Sequence, residues 1–169
     1  MNYSKINRFD VANGEGIRVS LFVSGCPHHC KGCFNPRTWN YDYGKKFDDD
    51  AEGTILYYLS HPAIQGLTLL GGEPLAPQNR EDVLELLKIC KAYYPEKDIW
   101  CYTGYTFDEV KDFEGLDYID VLVDGRYIEE ERDISLQFRG SSNQRIIDVP
   151  ETRMSGKIEL WVSTDGWRS

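Results

Sequence analysis

Short apolar runs alternate along the chain with amphipathic stretches, and each run ends at a glycine or a polar turn. The runs are IRVSLFVSG from Ile17, GLTLLGGEP from Gly66, DIWCYTGY from Asp98 and YIDVLVDGRY from Tyr118. Runs of β-branched, aromatic and leucine residues that are bounded by turn residues are typical of buried strands. The pattern therefore predicts four strands.

The amphipathic stretches between these runs predict helices. In NREDVLELLKICKAYYP, the apolar residues that keep helical spacing are Val83, Leu86, Leu87 and Cys90. Asn79 is placed to cap the start of this helix, and Pro95 lies just beyond its end. TFDEV, from Thr106, has the Thr-x-x-Glu form of a capping box and predicts a short helix. A further helix is expected between Asp50 and Leu59.

The alternation of strands and helices predicts an α/β fold with right-handed crossovers and a mainly parallel sheet. Four unusual segments, the cysteine-rich loop, GGEP, YTGY and DGRY, each follow a predicted strand directly. Because ligands of parallel α/β folds bind at the carboxyl ends of the strands, we expect all four segments at one site. We expect one domain over residues 1–169, in which the tail from about residue 150 offers only KIELWVS as a candidate last strand.

The charge balance narrows the classes of partner. The chain has 19 basic and 28 acidic residues, a net charge of −9, which makes it a poor general partner for nucleic acids or anionic membranes. No apolar run reaches the roughly 18 residues of a membrane span, and the first residues lack the apolar stretch of a secretory leader. The expected compartment is the cytoplasm, where structural disulfides are rare.

The candidate chemistry is concentrated in CPHHCKGC, which carries Cys26, Cys30 and Cys33. Closely spaced cysteines in a cytosolic chain favour metal or redox chemistry over disulfides. Three thiolates on a cube-shaped 4Fe–4S cluster leave one iron without a protein ligand, and an open metal position is typical of catalytic sites. Disulfides, thiol redox chemistry and a structural zinc remain as alternatives.

A structural zinc would need a fourth ligand, for which the candidates are His28, His29, Cys90 and Cys101. Both histidines are more simply explained as loop residues, because a fourth protein ligand would block the open iron. Cys90 lies on the apolar stripe of its predicted helix and Cys101 lies in a predicted strand. Both are therefore more simply explained as small core residues.

The C-x3-C-x2-C spacing of the three loop cysteines, placed after the first predicted strand, resembles that of radical S-adenosylmethionine enzymes. The resemblance implies a partial (β/α) barrel and a 4Fe–4S cluster with three cysteine ligands. It also implies that the open iron binds the amino and carboxylate groups of S-adenosylmethionine. Many members of the superfamily have an aromatic residue just before the third cysteine, against the adenine, whereas this chain has glycine there. The adenine contact is therefore expected from the backbone of Gly32, Cys33 and Phe34.

GGEP, directly after the second predicted strand, supports the same resemblance. Glycines let backbone approach a ligand closely, and a carboxylate can accept hydrogen bonds from an ammonium group. In the superfamily this motif holds the methionine amino group of the cofactor. The resemblance therefore implies that role for Gly71, Gly72 and Glu73.

A longer match narrows the resemblance to one family. The segments NGEGIRVSLFVSGCPHHCKGCFNPRTW, LLGGEPLAPQN, YTGY, DVLVDGRY and RGSSNQRIIDV resemble the activating proteins of anaerobic (class III) ribonucleotide reductase, over roughly residues 9–149. The resemblance implies an oxidoreductase whose reduced cluster passes one electron to the sulfonium of S-adenosylmethionine. Cleavage gives methionine and a 5′-deoxyadenosyl radical, which takes a hydrogen atom from a glycine Cα of the reductase.

The implied partners follow from this chemistry. They are the large subunit of an anaerobic ribonucleoside-triphosphate reductase and a low-potential electron donor such as reduced flavodoxin, because the electron transfer needs the low end of iron–sulfur potentials. A near alternative keeps the chemistry but acts on another glycyl-radical enzyme or on a small molecule. An alternative of another class is a non-catalytic zinc or redox module.

Four further residues are candidates for the cofactor pocket. Tyr102, Thr103 and Asp124 lie at the ends of predicted strands and are placed to line it. Arg18 opens the first predicted strand, where it could contact the carboxylate of the ligand, contact the partner or form a surface salt bridge.

Overall fold

The computed structural model describes residues 1–164, which form one seven-stranded sheet flanked by helices. The strands are β1 (Asn2–Asp10), β2 (Arg18–Val23), β3 (Lys45–Lys46), β4 (Gly66–Gly71), β5 (Asp98–Tyr102), β6 (Val121–Asp124) and β7 (Arg145–Asp148). Their order across the sheet is β3-β1-β2-β4-β5-β6-β7. The α/β class is thus confirmed.

The centre of the sheet is parallel. β2, β4, β5 and β6, the four strands that the apolar runs predict, pair in parallel with Arg18 opposite Gly66 and Gly66 opposite Asp98. β1, β3 and β7 pair antiparallel at the two sides. The sheet is therefore mixed, and only its middle has the predicted parallel arrangement. The radical S-adenosylmethionine barrel type stays a prediction.

No apolar run predicts β1. In NYSKINRFD most residues are half-buried or exposed, because β1 lies next to the short edge strand β3 and the sheet covers it only in part. β3 consists of two exposed lysines. Strands near an edge need no continuous apolar pattern, so their sequences resemble loops.

The helices are α1 (Asp49–Leu59), α2 (Arg80–Tyr93), α3 (Phe107–Val110) and α4 (Val149–Ser155), with 3₁₀ turns at Pro36–Trp39, Glu114–Tyr118 and Glu129–Glu131. The three predicted helices are α1, α2 and α3. Asp48 caps α1 by accepting from the Ala51 N–H at 3.0 Å, and the capping box of Thr106 and Glu109 is present. Within residues 1–164, no helix combines the length and apolar character needed to cross a membrane.

Successive residues of the central strands face opposite sides of the sheet. On one side, the strands and helices enclose the larger core, which includes Val19, Leu21, Leu67, Leu69, Ile99, Leu86 and Leu87. Cys90 and Cys101 are buried in this core, as predicted. On the other side, a smaller cluster contains Trp100, Val121, Val123, Ile146 and Trp161.

The tail after β7 forms a helix and then pairs locally with β7. Asp148 caps α4 by accepting from the Glu151 N–H at 2.9 Å. KIELWVS forms an isolated bridge between Leu160 and Ile147 instead of the full strand that it predicts. Residues 165–169, at the end of the tail, lie outside the described residues.

Arg18 joins three parallel strands at their amino ends. The residue is fully buried, and its guanidinium donates to the Thr68 hydroxyl at 2.7 Å and to the Leu67 carbonyl at 2.9 Å. It also pairs with the Asp98 carboxylate and lies over the Trp100 ring, 5.4 Å from its centre. A guanidinium removed from water is tolerated only when its donors are matched in this way.

Replacement of Arg18 by Met should lower the free energy of unfolding by about 3 kcal/mol, because the Thr68 hydroxyl, the Leu67 carbonyl and the Asp98 carboxylate each lose the guanidinium as a donor. Urea unfolding of the anaerobic protein measures this. The matched control is Arg153→Met, which removes an ion pair whose two side chains are 42% and 54% exposed. The control should change the stability by less than about 1 kcal/mol. Equal losses in both variants would contradict the structural role of Arg18.

Candidate metal and cofactor site

The cysteine loop (residues 26–33) follows β2 and is held by its main chain. Gly25, at its entrance, has φ +90°, a conformation that favours glycine. The N–H groups of Gly25 and Cys26 donate to the carbonyls of Thr38 and Trp39, 2.8 and 3.2 Å away. The loop is thus fixed against the 3₁₀ turn that follows it.

All five cysteines are free thiols, so the chain contains no disulfide framework. Cys26, Cys30 and Cys33 are half-buried, whereas Cys90 and Cys101 are buried in the core. Burial raises the pKa of Cys90 to about 12 and holds the pKa of Cys101 well above its usual value. Thiols in such surroundings are inert, which agrees with their prediction as core residues.

Two of the loop thiols differ from the core thiols because backbone N–H groups are hydrogen-bonded to their sulfurs. Burial raises the pKa of Cys26 to about 11, while the His28 backbone N–H, hydrogen-bonded to the sulfur, acts in the opposite direction. Burial also raises the pKa of Cys30, against the backbone N–H of Tyr127. Thiolate ligation would release these protons. Hydrogen bonds to sulfur are among the features that tune iron–sulfur clusters, so the donor set fits such a cluster.

The arrangement does not resemble a site for a single ion. In the part of the chain that the structure describes, no three Cys, His, Asp or Glu side chains converge closely enough to hold one metal ion. A structural zinc needs four ligands on one ion. A 4Fe–4S cluster takes its thiolates on separate irons, so it does not need the three sulfurs to converge on one ion.

The turn that follows β4 (residues 71–74) packs against the cysteine loop. The N–H of Gly72 donates to the Val23 carbonyl and the N–H of Glu73 donates to the Gly25 carbonyl, both at 2.8 Å. A Cβ on Gly72 would lie 2.6 Å from the Gly25 carbonyl oxygen. The sequence predicts glycine here so that a ligand can approach. In the structure, the group that approaches Gly72 is the main chain that enters the cysteine loop.

Glu73 is fully buried, and its carboxylate joins three loops. Oε1 accepts from the Leu75 N–H at 2.9 Å and from the Thr103 hydroxyl at 2.8 Å. Oε2 accepts from the Gly104 N–H at 2.7 Å and lies 2.7 Å from Nε2 of His28. The cysteine loop, GGEP and YTGY therefore meet at one carboxylate. We call this group of contacts the Glu73 junction.

Asn79 holds the main chain on which the Glu73 junction is built. It stands at the N-cap of α2, as predicted, but its side chain makes no capping hydrogen bond. Its amide instead donates to the carbonyls of Ser24 and Glu73, each at 3.0 Å, and the residue is almost fully buried. The asparagine thus ties the end of β2 to the turn after β4.

The segment after β6 covers another side of the cysteine loop. Gly32 has φ +76°, and a Cβ there would lie 2.0 Å from Oε2 of Glu129. The same oxygen accepts from the Tyr127 hydroxyl at 2.6 Å. Glycine at this position therefore has a local cause, because both the backbone angle and the carboxylate of Glu129 oppose a larger residue. DGRY thus joins the other three segments, as predicted.

The segment RGSSNQR holds the DGRY segment in place. The Gln144 amide donates to the Gly125 carbonyl at 3.0 Å, and the Asn143 amide donates to the Arg126 carbonyl at 2.8 Å. Gln144 also accepts from the N–H of Gly140 at 2.9 Å. These contacts give a structural role to a motif whose function the sequence does not reveal.

Two candidate residues have side chains that are fully engaged elsewhere. Arg18 lies at the amino ends of the strands, opposite the cysteine loop, and its salt bridge joins a fully buried guanidinium to the Asp98 carboxylate, which is 30% exposed. Asp124 is buried, pairs with Arg145 and accepts from the Phe107 N–H at 2.8 Å. The structure does not bring either side chain to the Glu73 junction.

Three other candidates have different surroundings. Thr103 belongs to the Glu73 junction. Tyr102 packs with Trp100 in the smaller cluster, and its buried hydroxyl has no hydrogen-bond partner among residues 1–164. Phe34 is 91% exposed beside the cysteine loop, so its ring is accessible to a partner molecule.

The cysteine motif indicates an iron–sulfur protein, and a match to a family model shows that the chain is one. Residues 12–147 match the family model described as a 4Fe-4S single cluster domain. The match includes the parallel strands, the cysteine loop and the Glu73 junction.

Relatives with a common name define the class further. A protein of Enterobacteria phage T4 is 46% identical over 169 residues, which cover 99% of both chains. A protein of Haemophilus influenzae is 49% identical over 150 residues, 86% of this chain and 97% of the relative. One of Escherichia coli K12 is 45% identical over 148 residues, 85% and 96% of the two chains. All three are named anaerobic ribonucleoside-triphosphate reductase-activating protein, and the present chain belongs to this family.

Replacement of Gly72 by Ala should destabilise the protein by about 1–3 kcal/mol, because its Cβ overpacks against the Gly25 carbonyl. The displaced loop should also take up less iron during anaerobic reconstitution. The control is Gly53→Ala in α1, where a Cβ meets nothing within 4 Å. This change should stabilise the helix by about 0.5–1 kcal/mol and leave the iron content unchanged. A Gly72→Ala protein with full iron and unchanged stability would contradict the packing argument.

Proposed function

We propose that this chain activates an anaerobic ribonucleotide reductase by forming a glycyl radical on it. One observation carries the proposal: the Glu73 junction joins a C-x3-C-x2-C loop to a Gly-Gly-Glu turn. This chain is 45–49% identical to two bacterial relatives that are named for activating that reductase.

In this proposal, Cys26, Cys30 and Cys33 ligate a 4Fe–4S cluster. When bound, the cluster supplies one electron for cleavage of S-adenosylmethionine to methionine and a 5′-deoxyadenosyl radical, which takes a hydrogen atom from a glycine Cα of the reductase. The half-buried thiols support the ligand assignment. The burial of Cys90 and Cys101 in the core supports a site with three cysteine ligands and one open iron.

The S-adenosylmethionine site extends over two neighbouring segments. Gly71, Gly72 and Glu73 form the turn beside the methionine group, and the backbone of Gly32, Cys33 and Phe34 lies beside the adenine. The contact between the cysteine loop and this turn supports the assignment. The parallel centre of the sheet then corresponds to a partial (β/α) barrel of the radical S-adenosylmethionine type. The exposure of Phe34 supports an edge that is open to the glycine loop of the reductase.

The reductant and compartment follow from the same chemistry. Reduction of such a cluster needs a low-potential donor, for which reduced flavodoxin is suitable. Five free thiols fit a reducing compartment, and we infer that the reaction takes place in the cytoplasm.

Deuterium at the radical glycine Cα of the reductase should appear in 5′-deoxyadenosine when reduced protein, S-adenosylmethionine and reductase react anaerobically. The amount of 5′-deoxyadenosine should be proportional to the glycyl radical detected by electron paramagnetic resonance. Mass spectrometry measures the transferred label, and unlabelled reductase is the control. Absence of label transfer, or faster turnover on a small molecule without any reductase, would reject activation of the reductase.

Alanine at Cys26, Cys30 or Cys33 should abolish assembly of a catalytically competent cluster. Cys90→Ala and Cys101→Ala serve as matched controls, because each removes a thiol from the core instead of from the loop. Iron and sulfide content, with the absorption spectrum of the anaerobic protein, measures assembly. Loss of the cluster in a folded Cys90→Ala protein would reject the three-cysteine assignment.

A further inference from the structure

The His28 side chain points away from the cysteine loop and contacts the turn after β4. Its Nε2 lies 2.7 Å from Oε2 of Glu73, and the two side chains are 3% and 1% exposed. The imidazole packs edge-on against Tyr105, with ring centres 4.5 Å apart. A Cβ on Gly104 would lie 2.4 Å from the imidazole Cδ2, so the glycine leaves the space that the ring fills. His28 is therefore held in one place by three neighbours.

The partner of His28 is the Glu73 carboxylate, whose acceptor positions are all occupied. An ionised carboxylate offers about four lone-pair positions. In Glu73, these face the N–H groups of Leu75 and Gly104, the Thr103 hydroxyl and the His28 imidazole. An ammonium group could bind this carboxylate only by displacing one of these donors. Two of the donors belong to the backbone, so they are the hardest to move.

We propose that His28 and Glu73 form a positioning pair that sets the spacing between the cysteine loop and the turn after β4. Glu73 then acts on S-adenosylmethionine through the geometry of this turn and not by receiving its ammonium group. The inference rests on the proposed function for the identity of the cofactor. It goes beyond that function because it assigns a role to His28 and changes the role of Glu73.

The two roles of Glu73 lead to opposite expectations for His28→Ala. If Glu73 receives the ammonium group directly, removal of His28 frees an acceptor position, and binding stays equal or becomes tighter. If the pair sets the spacing, removal of His28 leaves a buried carboxylate one hydrogen bond short and a void beside Tyr105. The loop and the turn then lose their fixed separation, and binding becomes weaker.

The experiment compares His28→Ala, His28→Gln and His29→Asn in the cluster-loaded protein without reductase. His29 is the matched control, because it is the next residue of the same loop but stacks on Trp39 and not on the Glu73 junction. Asparagine tolerates its positive φ of 48°. Equilibrium binding of radiolabelled S-adenosylmethionine gives the affinity. The change that S-adenosylmethionine causes in the electron paramagnetic resonance spectrum of the reduced cluster gives a second readout.

We expect all three variants to hold iron like the unmodified protein, because none of them disturbs the main-chain hydrogen bonds of Gly25 and Cys26 that fix the entrance of the cysteine loop. The affinity of His28→Ala should fall about tenfold or more, at least ~1.4 kcal/mol, and the spectral change should need correspondingly more S-adenosylmethionine. His28→Gln, whose amide can donate to the same carboxylate, should restore most of the affinity, and His29→Asn should bind normally. In a Glu73→Gln background, His28→Ala should have little further effect, because the pair is already broken.

Unchanged or tighter binding by His28→Ala would overturn the proposal, as would additive effects of the two substitutions. Iron loss in both His28→Ala and His28→Gln would also overturn it, because His28 would then serve cluster assembly. If the binding results contradict the role of His28 and Glu73, the proposed formation of a glycyl radical on a reductase is not contradicted. Conversely, the variants could bind S-adenosylmethionine as expected while no glycyl radical forms on the reductase. That result would support the positioning role of His28 and Glu73 and would reject the proposed function. An unmodified protein that binds no S-adenosylmethionine would overturn the pair's role together with the cofactor assignment.

Discussion

The candidate site depends on one constraint, the burial of the Glu73 carboxylate. A carboxylate removed from water is stable only if hydrogen bonds replace its hydration. The donors come from three elements: Leu75 from its own turn, Thr103 and Gly104 from the loop after β5, and His28 from the loop after β2. Three loops that could otherwise vary independently must therefore adopt one joint arrangement. The parallel centre of the sheet makes this possible, because it brings the ends of β2, β4 and β5 to the same edge.

The cysteine loop is fixed mainly through its backbone, which explains how its sulfurs can remain half-exposed. On one side, the Gly25 carbonyl accepts from the Glu73 N–H and leaves no space for a side chain at residue 72. On another side, Glu129 stands against Gly32. The segment that carries Glu129 is itself held by Gln144. These main-chain contacts add to the His28–Glu73 contact in ordering the loop, and the three thiols stay half-exposed.

The sequence predicts the parts of this structure that depend on local pattern. The four central strands are apolar because both of their faces are covered, and the capping box of α3 is a local motif. The sequence does not predict β1, whose place near the edge needs no apolar pattern. Long-range partners are also hidden: His28 and Glu73 are 45 positions apart, and Asn79 bonds Ser24 across 55. Only the folded chain brings these polar residues to their partners. In the sequence alone, His28 therefore resembles an ordinary loop residue and Asn79 resembles a helix cap.

The buried charge at the Glu73 junction also lies close to the cysteine loop. Burial is the main cause of the raised pKa of Cys26, and the negative charge of Glu73 adds to it, which shows that the carboxylate opposes further negative charge near the loop. Net charge and solvent exposure are among the factors that set iron–sulfur potentials, so the buried Glu73 carboxylate would be one such factor for a cluster held by this loop. The carboxylate that orders the loops is thus also a buried negative charge that a cluster bound by the loop would have as its neighbour.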